Sequence, residues 1–79
     1  MAKTIFSREQ VKLQELLRGL RTKAGVSQTD LAHRLKQSQS FVSKYESGER
    51  LLDLVELRQI CEALDLSLTQ VVQMWENSL

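Results

Sequence analysis

The sequence has no proline, three glycines, one cysteine and one histidine among its 79 residues. Each scarcity excludes something. Without proline, no position is barred from a helix interior by a missing backbone donor. Cys61 has no second thiol for an internal disulfide, and His33 alone cannot build a metal site. A lone histidine, a lone cysteine and the lack of a glycine-rich phosphate loop leave nothing from which to assemble a catalytic set. The chain is therefore read as a non-enzyme that uses no metal and no cofactor. No apolar run approaches the roughly 20 residues that span a bilayer, and the N-terminus lacks a signal-peptide stretch. The expectation is a cytoplasmic chain with no membrane partner.

What is present fits a folded helical domain. An apolar share of 42% supports a core, and the length suits one domain, 1–79, rather than two. Leu, Gln, Glu, Lys and Arg dominate, all good helix formers. The net charge of +1 hides a polarised distribution. Residues 1–50 hold ten Lys/Arg against five Asp/Glu, whereas residues 51–79 hold Arg58 against five acids. One end can meet phosphate while the other stays away from it.

The helices announce themselves by caps and periodicity. After a short arm, Met1–Phe6, Ser7 with Gln10 reads as a capping box, followed by Val11, Leu13, Leu16, Leu17 and Leu20 and a stop at Gly25. Ser27 caps a second helix with Leu31, Ala32 and Leu35 inward, and Ser38 caps a third over Gln39–Ser47 that ends at Gly48. Asp53 opens a fourth, with Leu54, Leu57, Ile60, Cys61 and Leu64 toward the core. Ser67 opens a fifth that buries some of Leu68, Val71, Val72 and Trp75. The expected fold is all-α: five short helices joined by tight turns.

Function resides in residues 28–47. Ala32 is small where a second helix must approach closely. Leu31 and Leu35 face Val42 and Tyr45, which would set the steep crossing of a helix-turn-helix. That crossing leaves Gln39, Ser40, Ser43 and Lys44 outside the core, with Ser38 at the helix N-terminus. Glutamine amides, serine hydroxyls and lysine suit base edges and phosphates, and a helix N-terminus attracts anions. Phe41 and Tyr45 at this spacing are read as core, Phe41 only in part, rather than as a base-stacking pair. Trp75 and Met74 remain open between monomer core and dimer contact.

The run Ser27-Gln28-Thr29-Asp30-Leu31-Ala32, the run Gln39-Ser40-Phe41-Val42-Ser43-Lys44-Tyr45-Glu46 and then Gly48-Glu49-Arg50 closely resemble the lambda-repressor-like helix-turn-helix family of Cro/repressor, Xre-type regulators. The resemblance extends from about Leu13 to Trp75. It implies a compact five-helix domain with the third helix in the major groove, often acting as a two-fold dimer. It also implies that Gln28 holds a phosphate, that Gln39, Ser40 and Lys44 meet base edges with Ser38 and Ser43 nearby, and that Glu46 is structural, pairing with Arg18 or Arg21. Arg50 is left open between phosphate contact and plain surface. The family usually has glycine in the turn where Lys36 stands; a left-handed residue with a Cβ costs about 1–2 kcal/mol there, and the extra cation could serve phosphate.

The function that follows is a sequence-specific double-stranded-DNA-binding transcriptional regulator, a homodimer on an inverted-repeat operator, in the manner of a restriction–modification controller or small phage repressor. The rival is an antitoxin or protein-interaction adaptor of the same fold, with a protein partner.

Overall fold

A computed structural model describes residues 7–79; the expected arm, Met1–Phe6, lies outside the described residues. Five helices follow: α1 (Arg8–Lys23), α2 (Gln28–Leu35), α3 (Gln39–Ser47), α4 (Leu54–Ala63) and α5 (Leu68–Ser78). Every start is chemically marked. The side chains of Ser7, Ser27, Ser38, Asp53 and Ser67 accept the backbone N–H of Gln10, Asp30, Phe41, Glu56 and Gln70, at 2.7–3.2 Å. Each such cap contributes about 1 kcal/mol. At α4 and α5 the return bond also forms, from the Asp53 and Ser67 N–H to the Glu56 and Gln70 side chains.

The ends of the first four helices share one geometry. A residue with left-handed backbone follows each helix: Gly25 (φ 73°), Lys36 (φ 57°), Gly48 (φ 89°) and Asp65 (φ 60°). The next N–H then reaches back five residues, as from Gln37 to the Ala32 carbonyl at 2.9 Å and from Leu66 to that of Cys61 at 2.9 Å. This closure satisfies carbonyls that the helix end would leave bare. The resemblance identifies Lys36 as the site of left-handed backbone, and the chain adopts it there despite the Cβ.

The core comprises Leu17, Val26, Leu31, Ala32, Val42, Tyr45, Ile60, Cys61, Leu64 and Val71. α2 packs mainly on α3; α1 closes over α3, α4 over α2, and α5 against α1 and α4. The inner face expected of residues 28–47 is therefore real, with Leu35 half-buried at its edge. At α1 the Ser7 cap forms without the return bond to the Gln10 side chain that the expected capping box requires, and one expected core position fails. Leu54 has the spacing of a core residue but is 67% exposed. It occupies the first turn of α4, at the rim of a groove of about 250 Å³ lined by Leu13, Leu52, Leu57, Val71, Val72 and Trp75. Periodicity gave it the right face, but that face is covered only from Leu57 onward. Trp75 is half-buried in this groove and its indole N–H donates to the Glu9 carbonyl at 2.9 Å, tying α5 to the start of α1. Met74 stays 37% exposed. Among the described residues, no helix is long and apolar enough to cross a membrane.

Candidate nucleic-acid interface

α3 has an apolar side and a polar side because its apolar residues recur one helical turn apart. Val42 and Tyr45 are buried, and Phe41 is half-buried with its ring edge-on to Tyr45 at 5.6 Å. At about 100° per residue, the opposite side carries Ser40, Ser43, Lys44 and Ser47. Ser40, Lys44 and Ser47 are exposed, as are Ser38 and Gln39 at the N-terminus. Ser43 is half-buried rather than fully outward, since it stands next to Val42 and only one step round from the buried row. Ser47 was not singled out from the sequence. Its hydroxyl donates to the Lys44 carbonyl at 3.1 Å and lies 3.2 Å from a Glu49 carboxylate oxygen. The signal was available, seven residues on from Ser40, but a serine at a helix end reads first as a stop.

The polar groups between α1, α2 and α3 form one chain. Arg21, on the last turn of α1, grips Glu46 through two bonds: Nε to Oε2 at 2.7 Å and Nη2 to Oε1 at 3.0 Å. The two side chains are 9% and 4% exposed. Arg21 Nη1 also donates to the Val26 carbonyl at 2.8 Å. Hydrogen bonding to Glu46 holds the Arg21 guanidinium pKa above its ordinary value, and burial works against it. Of the two partners that the resemblance allowed for Glu46, the structure thus selects Arg21. Gln28, the first residue of α2, then donates to Glu46 Oε1 at 2.9 Å and accepts from the Gln39 amide at 2.7 Å. Gln28 and Gln39 come together, one from each helix of the pair.

Lys36 is exposed at the turn between α2 and α3. Arg50 is engaged within the chain. It donates to both Glu56 carboxylate oxygens, at 3.0 and 2.8 Å, and its guanidinium lies 4.8 Å from the centre of the Phe41 ring. Arg50 thereby clips the loop after α3 onto the start of α4. Its hydrogen bonds hold the Glu56 carboxyl below the usual carboxylate range, the Asp53 backbone N–H adding to the effect. Burial pushes the Tyr45 phenol well up from its ordinary value and raises that of the Cys61 thiol. Cys61 is a reduced core residue, and His33 is exposed. Among the described residues, no group of three or more His, Cys, Asp or Glu could hold a metal ion.

A helix-turn-helix family model matches residues 17–71. No curated protein matched the sequence. Among solved structures, an XRE-family-like protein from Pseudomonas syringae pv. tomato superimposes with a TM-score of 0.83 at 36% identity, over 89% of this chain and 85% of that one. The clp gene regulator ClgR from Corynebacterium glutamicum gives 0.81 at 26% identity, over 91% and 77% of the two chains. The restriction–modification controller protein C.Esp1396I, a tetramer in complex with its natural 35 base-pair operator, gives 0.82 at 24% identity, over 90% and 93%. At that identity the likeness is one of fold.

Proposed function

Because this chain belongs to the Cro/C1-type, Xre-like helix-turn-helix family, we propose that it is a transcriptional regulator that binds double-stranded DNA sequence-specifically, as a homodimer on an inverted-repeat operator. The observation that carries the reading is the hydrogen-bonded chain Arg21–Glu46–Gln28–Gln39. It fixes the N-termini of α2 and α3 side by side and leaves Gln39 exposed beside Ser40 and Lys44. A helix held in this way, polar outside and apolar inside, can lie in a major groove with its first residues at the base edges.

The roles divide by reach. Gln39, Ser40 and Lys44 read bases, with Ser38 and Ser43 at the margin of the contact. Gln28 and Lys36 meet phosphate, Gln28 with the amide N–H that its internal bonds leave free. Arg50, earlier open between phosphate and surface, is assigned instead to the α3–α4 loop, since its guanidinium is taken up by Glu56. Support for regulation comes from the relatives: ClgR is a gene regulator, and C.Esp1396I is bound to its operator. Support for self-association comes from the tetrameric state of C.Esp1396I and from Leu51, Leu54, Val55, Met74 and Leu79, large apolar residues left at the surface here.

Selection of bound sites from random duplexes tests this. The expected outcome is a palindrome with half-sites about 34 Å apart, one helical turn. Replacing both Gln39 and Lys44 by Ala should abolish the preference for the selected site while helicity and melting stay nearly unchanged. Undiminished preference in that double variant would overturn the assignment of α3.

A further inference from the structure

α3 ends beside a carboxylate. Between Lys36 and Arg50 the acids are Glu46, which Arg21 holds in the interior, and Glu49, which is exposed. The backbone at Glu49 is pinned, because the N–H groups of Gly48, Glu49 and Arg50 all turn back to the Lys44 carbonyl, those of Glu49 and Arg50 at 2.9 and 3.2 Å. The side chain is held as well. Ser47, last on the polar side of α3, has its hydroxyl 3.1 Å from the same carbonyl and 3.2 Å from Glu49 Oε2. That carbonyl has two lone pairs for its several donors, so the charged carboxylate is the better acceptor for the serine proton. Among the described residues no cation lies within ion-pair distance of Glu49. Arg50, its neighbour in sequence, is taken up by Glu56.

We propose that Glu49, positioned by Ser47, is a specificity-determining residue that makes the C-terminal end of α3 select a cytosine. The inference rests on the reading that α3 lies in the major groove. A carboxylate beside phosphates weakens binding to any duplex, and only a base edge that offers it a proton offsets this. An ionised carboxylate accepts and never donates. Cytosine is the base whose major-groove edge presents a donor, the N4 amine, with no acceptor of its own. Thymine has O4 in that place, guanine has two acceptors, and adenine sets N7 beside its amine. Glu49 therefore acts as much by rejection as by attraction, since an unpaired anion faces every wrong base. Ser47 stands at the far end of the nine-residue helix from Gln39, about 12 Å along its axis. The cytosine thus lies within about four base pairs of the base that Gln39 meets.

The test is selection of bound sites from random duplexes, run in parallel with the unaltered chain and with Glu49→Gln, which keeps the size of the side chain and removes its charge. The unaltered chain should select cytosine at one position of each half-site and bind it over thymine there by about five-fold or more, the worth of a good base contact. In Glu49→Gln that ratio should fall to within about two-fold of unity, because an amide can donate as well as accept. Preferences at the other positions should hold, and binding to an unrelated duplex should strengthen by about two- to five-fold at low salt. Ser47→Ala should lower the same ratio without strengthening binding to the unrelated duplex, because the charge stays; an unchanged ratio there would overturn the positioning role of Ser47. Both substitutions fall at exposed positions and leave the core untouched. Stronger binding of Glu49→Gln to every duplex, with all ratios intact, would mean that Glu49 only repels phosphate and would overturn the proposal. Identical selections from the two chains would overturn it too. If the unaltered chain selects no site at all, the DNA-binding reading itself fails, whereas a selected site without that cytosine sinks the role of Glu49 alone.

Discussion

The two left-handed residues that carry a Cβ, Lys36 (φ 57°, ψ 39°) and Asp65 (φ 60°), form a matched pair for testing what the α2–α3 turn costs. Left-handed backbone costs a residue with a Cβ about 1–2 kcal/mol. Glycine removes that strain but returns about 0.5–1 kcal/mol through the extra freedom of the unfolded chain. The exchange alone should therefore stabilise each site by about 0.5–1 kcal/mol. Charge then separates them. Lys36 follows the C-terminus of α2, where a cation is favourable by about 0.3–1 kcal/mol, and Asp65 follows that of α4, where an anion is unfavourable by a similar amount. Lys36→Gly should thus change stability by about −0.5 to +0.7 kcal/mol, and Asp65→Gly by about +1 to +2 kcal/mol. For a domain of this size the latter raises Tm by at least about 4 °C. Thermal melts by circular dichroism at neutral pH read both, with Lys36→Ala as the control that keeps the Cβ. Binding should move the other way. Lys36→Gly weakens DNA binding across sequences and reduces the salt slope by about one counterion, whereas Asp65→Gly does not. If Lys36→Ala is as stable as Lys36→Gly, strain is not what the turn stores; if Asp65→Gly is the less stable of the two glycine variants, the charge argument fails.

Four other outcomes are expected. Glu46→Ala leaves Arg21 as a buried, unpaired cation and should cost about 3–5 kcal/mol in urea unfolding; a loss below about 1 kcal/mol would mean that the pair is not closed in solution. Gly48→Ala places a Cβ 3.0 Å from the Gln14 amide nitrogen at φ 89°, so it should destabilise by about 1–3 kcal/mol in the same assay, and a neutral result would refute the close approach. Among the described residues the buried Tyr45 hydroxyl has no hydrogen-bond partner, so Tyr45→Phe should be neutral or stabilising, and a loss above about 1 kcal/mol would reveal a partner for it. Glu56, whose folded pKa is depressed mainly by Arg50, adds stability that is present above the ordinary carboxylate range and lost as pH falls through the depressed value. Glu56→Gln should flatten that part of the acid unfolding profile, and an unchanged profile would exclude the Arg50 clip.

The sequence was most readable where one residue type has one structural use. A serine or aspartate before an apolar periodic run became a cap five times, because its short oxygen reaches the N–H three residues on. The faces of α2 and α3 were legible for the same reason: Leu31, Ala32, Val42 and Tyr45 recur at helical spacing, and all four are buried. Legibility ended where a residue's place depends on what stands opposite. Leu54 shares a row with Leu57 and Cys61 but overhangs the body of the molecule. Val26 is buried in a turn, where a single apolar residue has no period to betray it. Arg50 and Glu56 are six residues apart across a loop, a spacing that no helix rule connects. Asp65 takes left-handed backbone, which aspartate tolerates, where no glycine marks the turn.

The buried pair Arg21–Glu46 asks for a reason other than stability, because well-packed apolar residues can often replace such a pair without loss. Its position suggests one. The apolar face of the α2–α3 pair supplies most of the free energy of docking, but methyl and ring contacts are non-directional and tolerate small slides and rotations. A reading helix does not, since a functional group must be held to within about 0.5 Å of its productive position. Hydrogen bonds of 2.7–3.0 Å through Arg21, Glu46, Gln28 and Gln39 restrict what packing leaves loose, because their strength falls steeply with misalignment. They join the end of α1, the ends of α3 and the start of α2, the places from which a rotation of α3 would be felt. Apolar burial thus gives the domain its free energy, and a costly polar chain gives it register. That explains why an exposed residue at the tip of the third helix is the last link of a chain that begins at a buried arginine.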